Sequence, residues 1–109
     1  MEPTGNRLLL VFEALANPHR MRIVGALQCS RKYVSELARE MGMSRPLLYM
    51  HLKRLEAAGL VVGNLELSDD GKAMKYYELT DFDYEVTGKS IAEASKFLEE
   101  SRKDENDDN

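Results

Sequence analysis

The chain has 109 residues, with 15 Lys or Arg against 19 Asp or Glu and a formal net charge of −4. This length fits one domain that can bury a core without disulfides, and it excludes separate cofactor and substrate domains. A single cysteine, Cys29, cannot form an intramolecular bridge, which is typical of a reducing cytoplasm. The longest apolar run, residues 8–12, is too short for a membrane span or a secretory signal.

The charge is unevenly distributed along the chain. Residues 1–18 carry a net charge of −1, residues 19–54 carry +6 and residues 55–109 carry −9. A basic block within an acidic chain is typical of a nucleic-acid binding surface, because a partner responds to the local field rather than to the total charge. A solvated charged face without a partner would give the same pattern, so the block alone leaves both interpretations open.

The first predicted helix, residues 8–15, is apolar on almost every side. A small domain covers only one side of a terminal helix, so we expect the other side to meet another chain. Asn17 and Pro18 fit an N-cap and a first helical position, which predicts a second helix to about Gln28. On that helix we expect Met21, Ile23, Val24 and Leu27 to be buried and Arg20 and Arg22 to be available to solvent or a partner.

Two further helices are predicted after a connector at residues 29–33. Val34, Leu37, Ala38 and Met41 form a one-sided helical stripe that ends at Gly42. Ser44 fits the N-cap of a fourth helix, which tolerates Pro46 in its first turn and runs to Ala58 before Gly59. Two helices joined by so short a glycine-containing turn form a helix-turn-helix.

The last third of the chain predicts a hairpin and one more helix. Residues 60–67 and 73–79 are rich in β-forming residues and flank turn-forming residues 68–72. The last helix is expected from Val86 to Ser101, and residues 102–109 form an acidic tail that we expect to be disordered. The sequence thus predicts a single domain over residues 1–101.

In order and spacing, several motifs resemble the ArsR type of winged-helix transcriptional regulator. They are Ala14 to Arg20 with Arg22 and Ile23, Ser35 to Ala38, Ser44 to Leu48, His51 to Lys53 with Leu55, Ala58 to Val61, and Lys75 to Leu79. The resemblance covers about residues 8–80. It implies a mainly α fold with a small β-hairpin, a dimeric winged helix-turn-helix that binds double-stranded DNA.

The fourth helix would be the DNA-recognition helix. If Leu48, Leu52 and Leu55 face inward, Pro46, Met50 and Lys53 lie on the opposite face with Tyr49 at its edge. Apolar atoms there suit thymine methyl groups in a major groove, and a tyrosine hydroxyl suits a base edge or phosphate. Leu47, Tyr49 and Met50 replace the small or polar residues more often seen at these places, so the resemblance does not predict an operator sequence.

Arg45 lies in the first turn, where a bidentate contact to guanine provides about 1–3 kcal/mol of discrimination. A phosphate contact or plain solvation is the alternative for Arg45. Ser44 would hold a phosphate at the helix N-terminus, although a simple N-cap would look identical.

Asp69 and Asp70 argue against insertion of the hairpin tip into a minor groove. The other predicted phosphate contacts, each equally consistent with a solvated charge, are Lys53, Arg54, Lys32 and Arg39, with Lys72 and Lys75 on the wing.

Relatives of this type often bind metals through paired cysteines in the first helix of the helix-turn-helix, or through histidine and acidic residues in the last helix. Residues 35–40 contain no thiol and the last helix contains no histidine, so we expect neither a metal nor a cofactor. Cys29 fits a small buried or half-buried residue better than a redox thiol. His19 and His51 lack a nucleophile and carboxylate at suitable spacing, so we expect no enzyme activity.

Excess apolar surface and the resemblance both imply a homodimer. The residues expected to form it are Leu8, Leu9, Val11 and Phe12 of the first helix and Ile91, Phe97 and Leu98 of the last. Two recognition helices would then occupy successive major grooves about 34 Å apart on a palindromic site, and binding would repress transcription. The alternative is a winged-helix module that binds a protein or RNA through its acidic surface. No effector ligand follows from these residues.

Overall fold

The computed structural model describes residues 5–98, which form five helices and three strands. In chain order they are α1 (Gly5–Leu15), α2 (Pro18–Leu27), β1 (Lys32–Tyr33), α3 (Val34–Met41), α4 (Arg45–Ala57), β2 (Val61–Leu67), β3 (Ala73–Leu79) and α5 (Gly88–Ser95). The tail predicted at residues 102–109 and the end of the predicted last helix lie outside the described residues. The order matches the predicted winged helix-turn-helix.

Local sequence signals set the helix ends where they were predicted. The Asn17 side chain accepts hydrogen bonds from two backbone N–H groups of the first turn of α2, and Pro18 occupies its first position. Ser44 caps α4 by accepting one such bond, from the N–H of Leu47. Gly42 ends α3 with a φ of 65°, and Gly59 follows α4 with a φ of 76°. Each of these ends depends on residues within one helical turn, which is why sequence alone reveals it.

The core lies where α1 to α4 meet the root of the hairpin. The stripe predicted on α4, Leu48, Leu52 and Leu55, is fully buried. Complete burial of a leucine side chain contributes roughly 1.5–3 kcal/mol, so this stripe fixes how α4 is rotated against the core. The other buried apolar side chains around it include Val11, Ile23, Leu27, Val34, Leu37, Leu60 and Tyr77.

A three-stranded antiparallel sheet with the order β1–β3–β2 forms the wing. In the hairpin, Val61 lies opposite Leu79 and Leu67 opposite Ala73. β1 joins it by pairing Lys32 with Tyr77. The sequence predicted only a connector at β1, since a two-residue strand is too short to show a periodic pattern.

Two expectations about α2 are wrong. Met21 is 62% exposed, because it lies on the side of α2 nearly opposite Ile23. Arg20 is not available to a partner, since its guanidinium donates to the backbone oxygen of Ala14 and contacts His51.

Two further expectations near helix ends are also wrong. Cys29 is exposed rather than buried, because it lies beyond the last turn of α2. The last helix is shorter than predicted: α5 begins after the cap residue Thr87 and ends at Ser95. Its Thr87–Ser90 capping box starts the helix two residues later than the apolar pattern suggested.

Candidate nucleic-acid interface

The turn between α3 and α4 fixes where α4 begins. The N–H of Met43 donates to the carbonyl oxygen of Ala38 at 3.0 Å, and that of Gly42 donates to Arg39 at 3.2 Å. These bonds need the left-handed backbone of Gly42, a conformation that side-chain-bearing residues rarely adopt. Ala38 is buried, and its small side chain lets α3 and α4 approach closely. This turn therefore fixes where the first turn of α4 lies.

The solvent-facing side of α4 is apolar at its centre and basic around it. Leu47 is 39% exposed, Tyr49 41% and Met50 59%. The cationic residues around them, Arg45, Lys53 and Arg54, are exposed, and within residues 5–98 none of the three forms a salt bridge. We call the side formed by these six residues and Pro46 the recognition face. Uncompensated cations around apolar side chains suit duplex DNA. Its phosphates would face the cations, and the thymine methyl groups in its major groove would face the apolar side chains.

Ser44 stands at the N-terminal edge of the recognition face. Its Oγ accepts a hydrogen bond from the N–H of Leu47 at 3.3 Å. Pro46 has no N–H to offer, so the first turn of α4 presents few backbone donors. A phosphate here would depend on the Ser44 hydroxyl and the Arg45 guanidinium.

The two cations predicted to contact phosphates near α3 have different environments. Lys32 is largely covered and its Nζ lies 3.5 Å from the Oε2 of Glu40, so its charge is compensated inside the protomer. Arg39 is exposed at the end of α3, and no salt bridge in the described part of the chain involves it. Arg39 therefore fits a phosphate contact better than Lys32.

Lys75 lies on β3 opposite Leu65, toward the tip end of the wing. Its Nζ lies 5.3 Å from the centre of the Tyr77 ring, which is itself buried. The ring occupies space that Gly63 leaves open, since a Cβ there would lie 2.7 Å from the ring. The Tyr77 hydroxyl and, to a lesser degree, the Glu56 carboxylate raise the pKa of Lys75, so this residue is cationic at neutral pH.

The tip of the wing is tied by a carboxylate. Asp70 accepts hydrogen bonds from the Ser68 hydroxyl and from the N–H of Lys72. The bond from Ser68, followed by that from Lys72, lowers the pKa of Asp70, so the tip keeps this negative charge at neutral pH. Asp69 and Lys72 are exposed beside it. A negative tip favours contact of Lys72 with phosphates over insertion of the tip into a groove.

A cluster on the outer face of the sheet was missed by the sequence analysis. The guanidinium of Arg31 lies 3.9 Å from the centre of the Tyr76 ring and 3.2 Å from a carboxylate oxygen of Glu66. The Tyr33 hydroxyl donates to the same carboxylate at 3.2 Å. These contacts join the segment before β1 to both hairpin strands and so orient the wing. They follow from the strand register, which no local signal in the sequence reveals.

The predicted dimer residues of α1 divide between core and surface. Leu8 and Val11 are buried inside the protomer, and Phe12 is half-buried. Leu9, 47% exposed, and Leu10, 44% exposed, face outward. Leu10 was not predicted. Only one side of the helix can face the core, and in α1 it is the side that carries Leu8 and Val11.

The predicted dimer residues on α5 and just beyond its end are all exposed. Ile91, Phe97 and Leu98 are each more than 40% exposed, and no residue of α5 is buried. The helix packs beside α1 at Gly5, where a Cβ would lie 2.5 Å from the carbonyl oxygen of Ala94. We call the exposed apolar residues of α1, of α5 and of the segment directly after α5 the α1–α5 face: Leu9, Leu10, Ile91, Phe97 and Leu98.

Two other features concern membranes and metals. Within residues 5–98, no helix is both long and apolar enough to span a membrane. The same residues contain no group of three or more His, Cys, Asp or Glu side chains placed to hold a metal ion.

The helix-turn-helix also matches known proteins in sequence. A family described as a helix-turn-helix domain matches residues 15–64. An uncharacterized HTH-type transcriptional regulator of Methanocaldococcus jannaschii is 38% identical over 79 residues, which are 72% of this chain and 82% of that protein. The HTH-type transcriptional repressor SmtB of Mycobacterium tuberculosis is 43% identical over 53 residues, 49% of this chain and 39% of the repressor.

The fold matches solved structures over most of the chain. One is the homodimeric winged helix-turn-helix DNA-binding domain of a possible ArsR-family regulator from Mycobacterium bovis. Its TM-score is 0.58 at 24% identity, and the match covers 81% of this chain and 70% of that one. The order of helices and wing is therefore shared with regulators of this type.

Proposed function

The chain belongs to the ArsR-type winged helix-turn-helix transcriptional regulators, and we propose that it represses transcription as a homodimer bound to a palindromic operator. The observation that carries this proposal is the recognition face, where exposed apolar side chains are surrounded by cations without partners in the described part of the chain. Among known proteins, the relationship to a transcriptional regulator of M. jannaschii and to the repressor SmtB supports it. This is a binding function, and no catalytic step is part of it.

The polar residues of the recognition face and its edge have roles set by their positions. Arg45, in the first turn of α4, contacts a guanine edge in the major groove. Ser44, Lys53 and Arg54 hold phosphates on either side, which positions the helix without specifying sequence. Arg39 of α3 and the wing residues Lys72 and Lys75 extend the phosphate contacts along the backbone.

A second copy completes the binding unit. The α1–α5 face is the surface left for it, and the M. bovis relative described as homodimeric supports this arrangement. Two-fold symmetry places two copies of α4 in successive major grooves, about 34 Å apart, so the operator is a palindrome. Occupation of a promoter by the dimer blocks transcription. Because the partner is chromosomal DNA, we also place the protein in the cytoplasm.

The acidic remainder of the chain limits binding to one face. Residues 55–109 carry a net charge of −9, whereas residues 19–54, which include α3 and most of α4, carry +6. A duplex is attracted to the basic face and repelled elsewhere, which weakens non-specific binding in other orientations. The domain extends over residues 1–101 in this proposal, and the acidic tail remains off the duplex.

The salt dependence of duplex binding tests the proposal. Affinity for any duplex should fall steeply between about 50 and 200 mM salt, because cations that neutralise phosphates release counterions. Arg45→Ala should abolish preference for a selected operator while weak general binding persists. Arg22→Ala, which removes an exposed arginine from α2, is the matched control and should keep the wild-type preference for the operator. Binding that is absent or independent of salt would contradict the proposal and favour a protein- or RNA-binding module.

A further inference from the structure

We propose that α4 recognises the 5-methyl groups of thymine through Leu47 and Met50. The proposal rests on the DNA-binding function above and adds the base feature that the helix selects. Leu47 and Met50 are three residues apart on α4, so their side chains lie next to each other on the recognition face. Both are exposed, at 39% and 59%.

The recognition face offers few groups that hydrogen-bond to bases. Between Arg45 and Lys53 the polar side chains of α4 are those of Tyr49 and His51, and His51 is buried and contacts Arg20. Apart from the Arg45 contact to guanine, this stretch of the helix therefore distinguishes bases chiefly by shape and apolar contact. In the major groove, the one apolar substituent that differs between the standard bases is the thymine methyl group.

The surrounding charge selects DNA rather than an apolar protein surface as the occupant. Exposed Arg45, Lys53 and Arg54 surround Leu47 and Met50, and these cations have no salt-bridge partner among residues 5–98. Burying the apolar pair against a protein would also desolvate these charges, which is costly unless acidic groups face them. A duplex supplies phosphates for the cations and methyl groups for the apolar side chains at the same time.

The spacing along α4 locates the thymines relative to the guanine contacted by Arg45. The five steps from Arg45 to Met50 span about 7.5 Å of helix axis. This distance corresponds to roughly two base-pair steps of about 3.4 Å. The thymines therefore lie within about two base pairs of that guanine in each half-site.

The test removes the methyl group and nothing else from the DNA. A duplex selected by the protein from a random-sequence library is synthesised twice, once with thymine and once with deoxyuridine in its place. Dissociation constants are measured by fluorescence anisotropy at one fixed salt concentration. For the wild-type protein we expect about fourfold weaker binding to the deoxyuridine duplex for each contacted methyl group, because each buries apolar area of about one methylene.

Variants identify the side chains responsible. Leu47→Ala and Met50→Ala should each bind the thymine duplex more weakly than the wild type and show a smaller difference between the two duplexes. Met21→Ala is the matched control, since Met21 is exposed to a similar extent, 62%, but lies on α2. It should keep the full difference. All three side chains are exposed, so their truncation leaves the core intact.

The outcomes separate this inference from the function on which it rests. Equal affinity of the wild type for the two duplexes, or an unchanged difference in both α4 variants, overturns thymine-methyl recognition while DNA binding stands. Failure of the library to yield any duplex bound in a salt-dependent way overturns the DNA-binding function itself.

Discussion

Arg20 and His51 join α2 to α4: the Nη1 of Arg20 lies 3.1 Å from the Nδ1 of His51. A guanidinium only donates hydrogen bonds, so Nδ1 is the acceptor and the imidazole is neutral, with its proton on Nε2. Arg20 also donates from Nε to the carbonyl oxygen of Ala14 at 2.6 Å and from Nη2 to that of Glu13 at 3.4 Å. One side chain thus connects the end of α1 to the buried side of the recognition helix.

This contact predicts that acid destabilises the fold through His51. Burial, followed by the charges of Arg20, His19 and Arg54, lowers the pKa of His51 below its ordinary value of 6.5. The unfolded chain therefore binds this proton at a higher pH than the folded protein does. The free energy of unfolding should fall as the pH drops below about 6.5 and level off below the folded-state pKa. Urea denaturation at pH 7 and at pH 5 measures the difference.

A variant without the titrating ring isolates this contribution from that of the carboxylates. His51→Asn keeps an acceptor close to the Nδ1 position but cannot be protonated, so its stability should change less between pH 7 and pH 5. The control is His19→Asn. His19 is exposed, and its ring centre lies 5.5 Å from that of His51. This variant should retain most of the wild-type pH dependence. The same pH dependence in wild type and His51→Asn would show that His51 is not the group responsible.

Loss of the Arg20 side chain should destabilise the protein by about 1–3 kcal/mol. Arg20→Ala leaves the buried His51 without its donor and the last carbonyl groups of α1 without theirs, and unsatisfied buried groups cost about this much. Arg22→Ala is the control: Arg22 is exposed two residues further along α2, and its removal should cost within about 0.5 kcal/mol. Urea midpoints at one protein concentration compare them. Equal midpoints for Arg20→Ala and wild type would contradict the structural role.

The sequence predicts what is local and misses what depends on the tertiary arrangement. The caps at Asn17, Gly42 and Ser44 were predictable because each depends on neighbouring residues. The Arg20–His51 contact spans 31 residues, and no periodicity encodes it. For this reason the sequence suggested a solvent-facing Arg20.

The candidate sites show the same division. The recognition face follows from the three leucines buried on α4, whose phase leaves one possible outer side. In α1, by contrast, residues 8–12 are all apolar. The sequence therefore has no alternation of apolar and polar positions that would show which of them face the core. Packing against the other helices decides this, and it buries Leu8 and Val11.

The wing should depend on the absence of a side chain at Gly63. In Gly63→Ala, the new Cβ would lie 2.7 and 2.9 Å from atoms of the Tyr77 ring, so the ring must shift. Overpacking of this kind costs about 1–3 kcal/mol, and it should also weaken duplex binding because Lys75 moves with the ring. Gly25→Ala is the control, since a Cβ there meets nothing within 4 Å and alanine favours the α2 helix. In urea denaturation, Gly63→Ala should lower the free energy of unfolding and Gly25→Ala should raise it. Destabilisation of both variants would contradict the packing argument.

The α1–α5 face should fail as a dimer contact when a charge is placed on it. In a two-fold interface, Leu9→Glu introduces a carboxylate from each copy, and burial of unpaired like charges should raise the dimer dissociation constant by at least roughly tenfold. Sedimentation equilibrium would then detect a shift toward the 12.4 kDa monomer. Leu65→Glu provides the control, because Leu65 is 72% exposed on the wing, away from this face, and its replacement should leave the mass distribution unchanged. A Leu9→Glu protein as dimeric as wild type would place the interface elsewhere on the molecule.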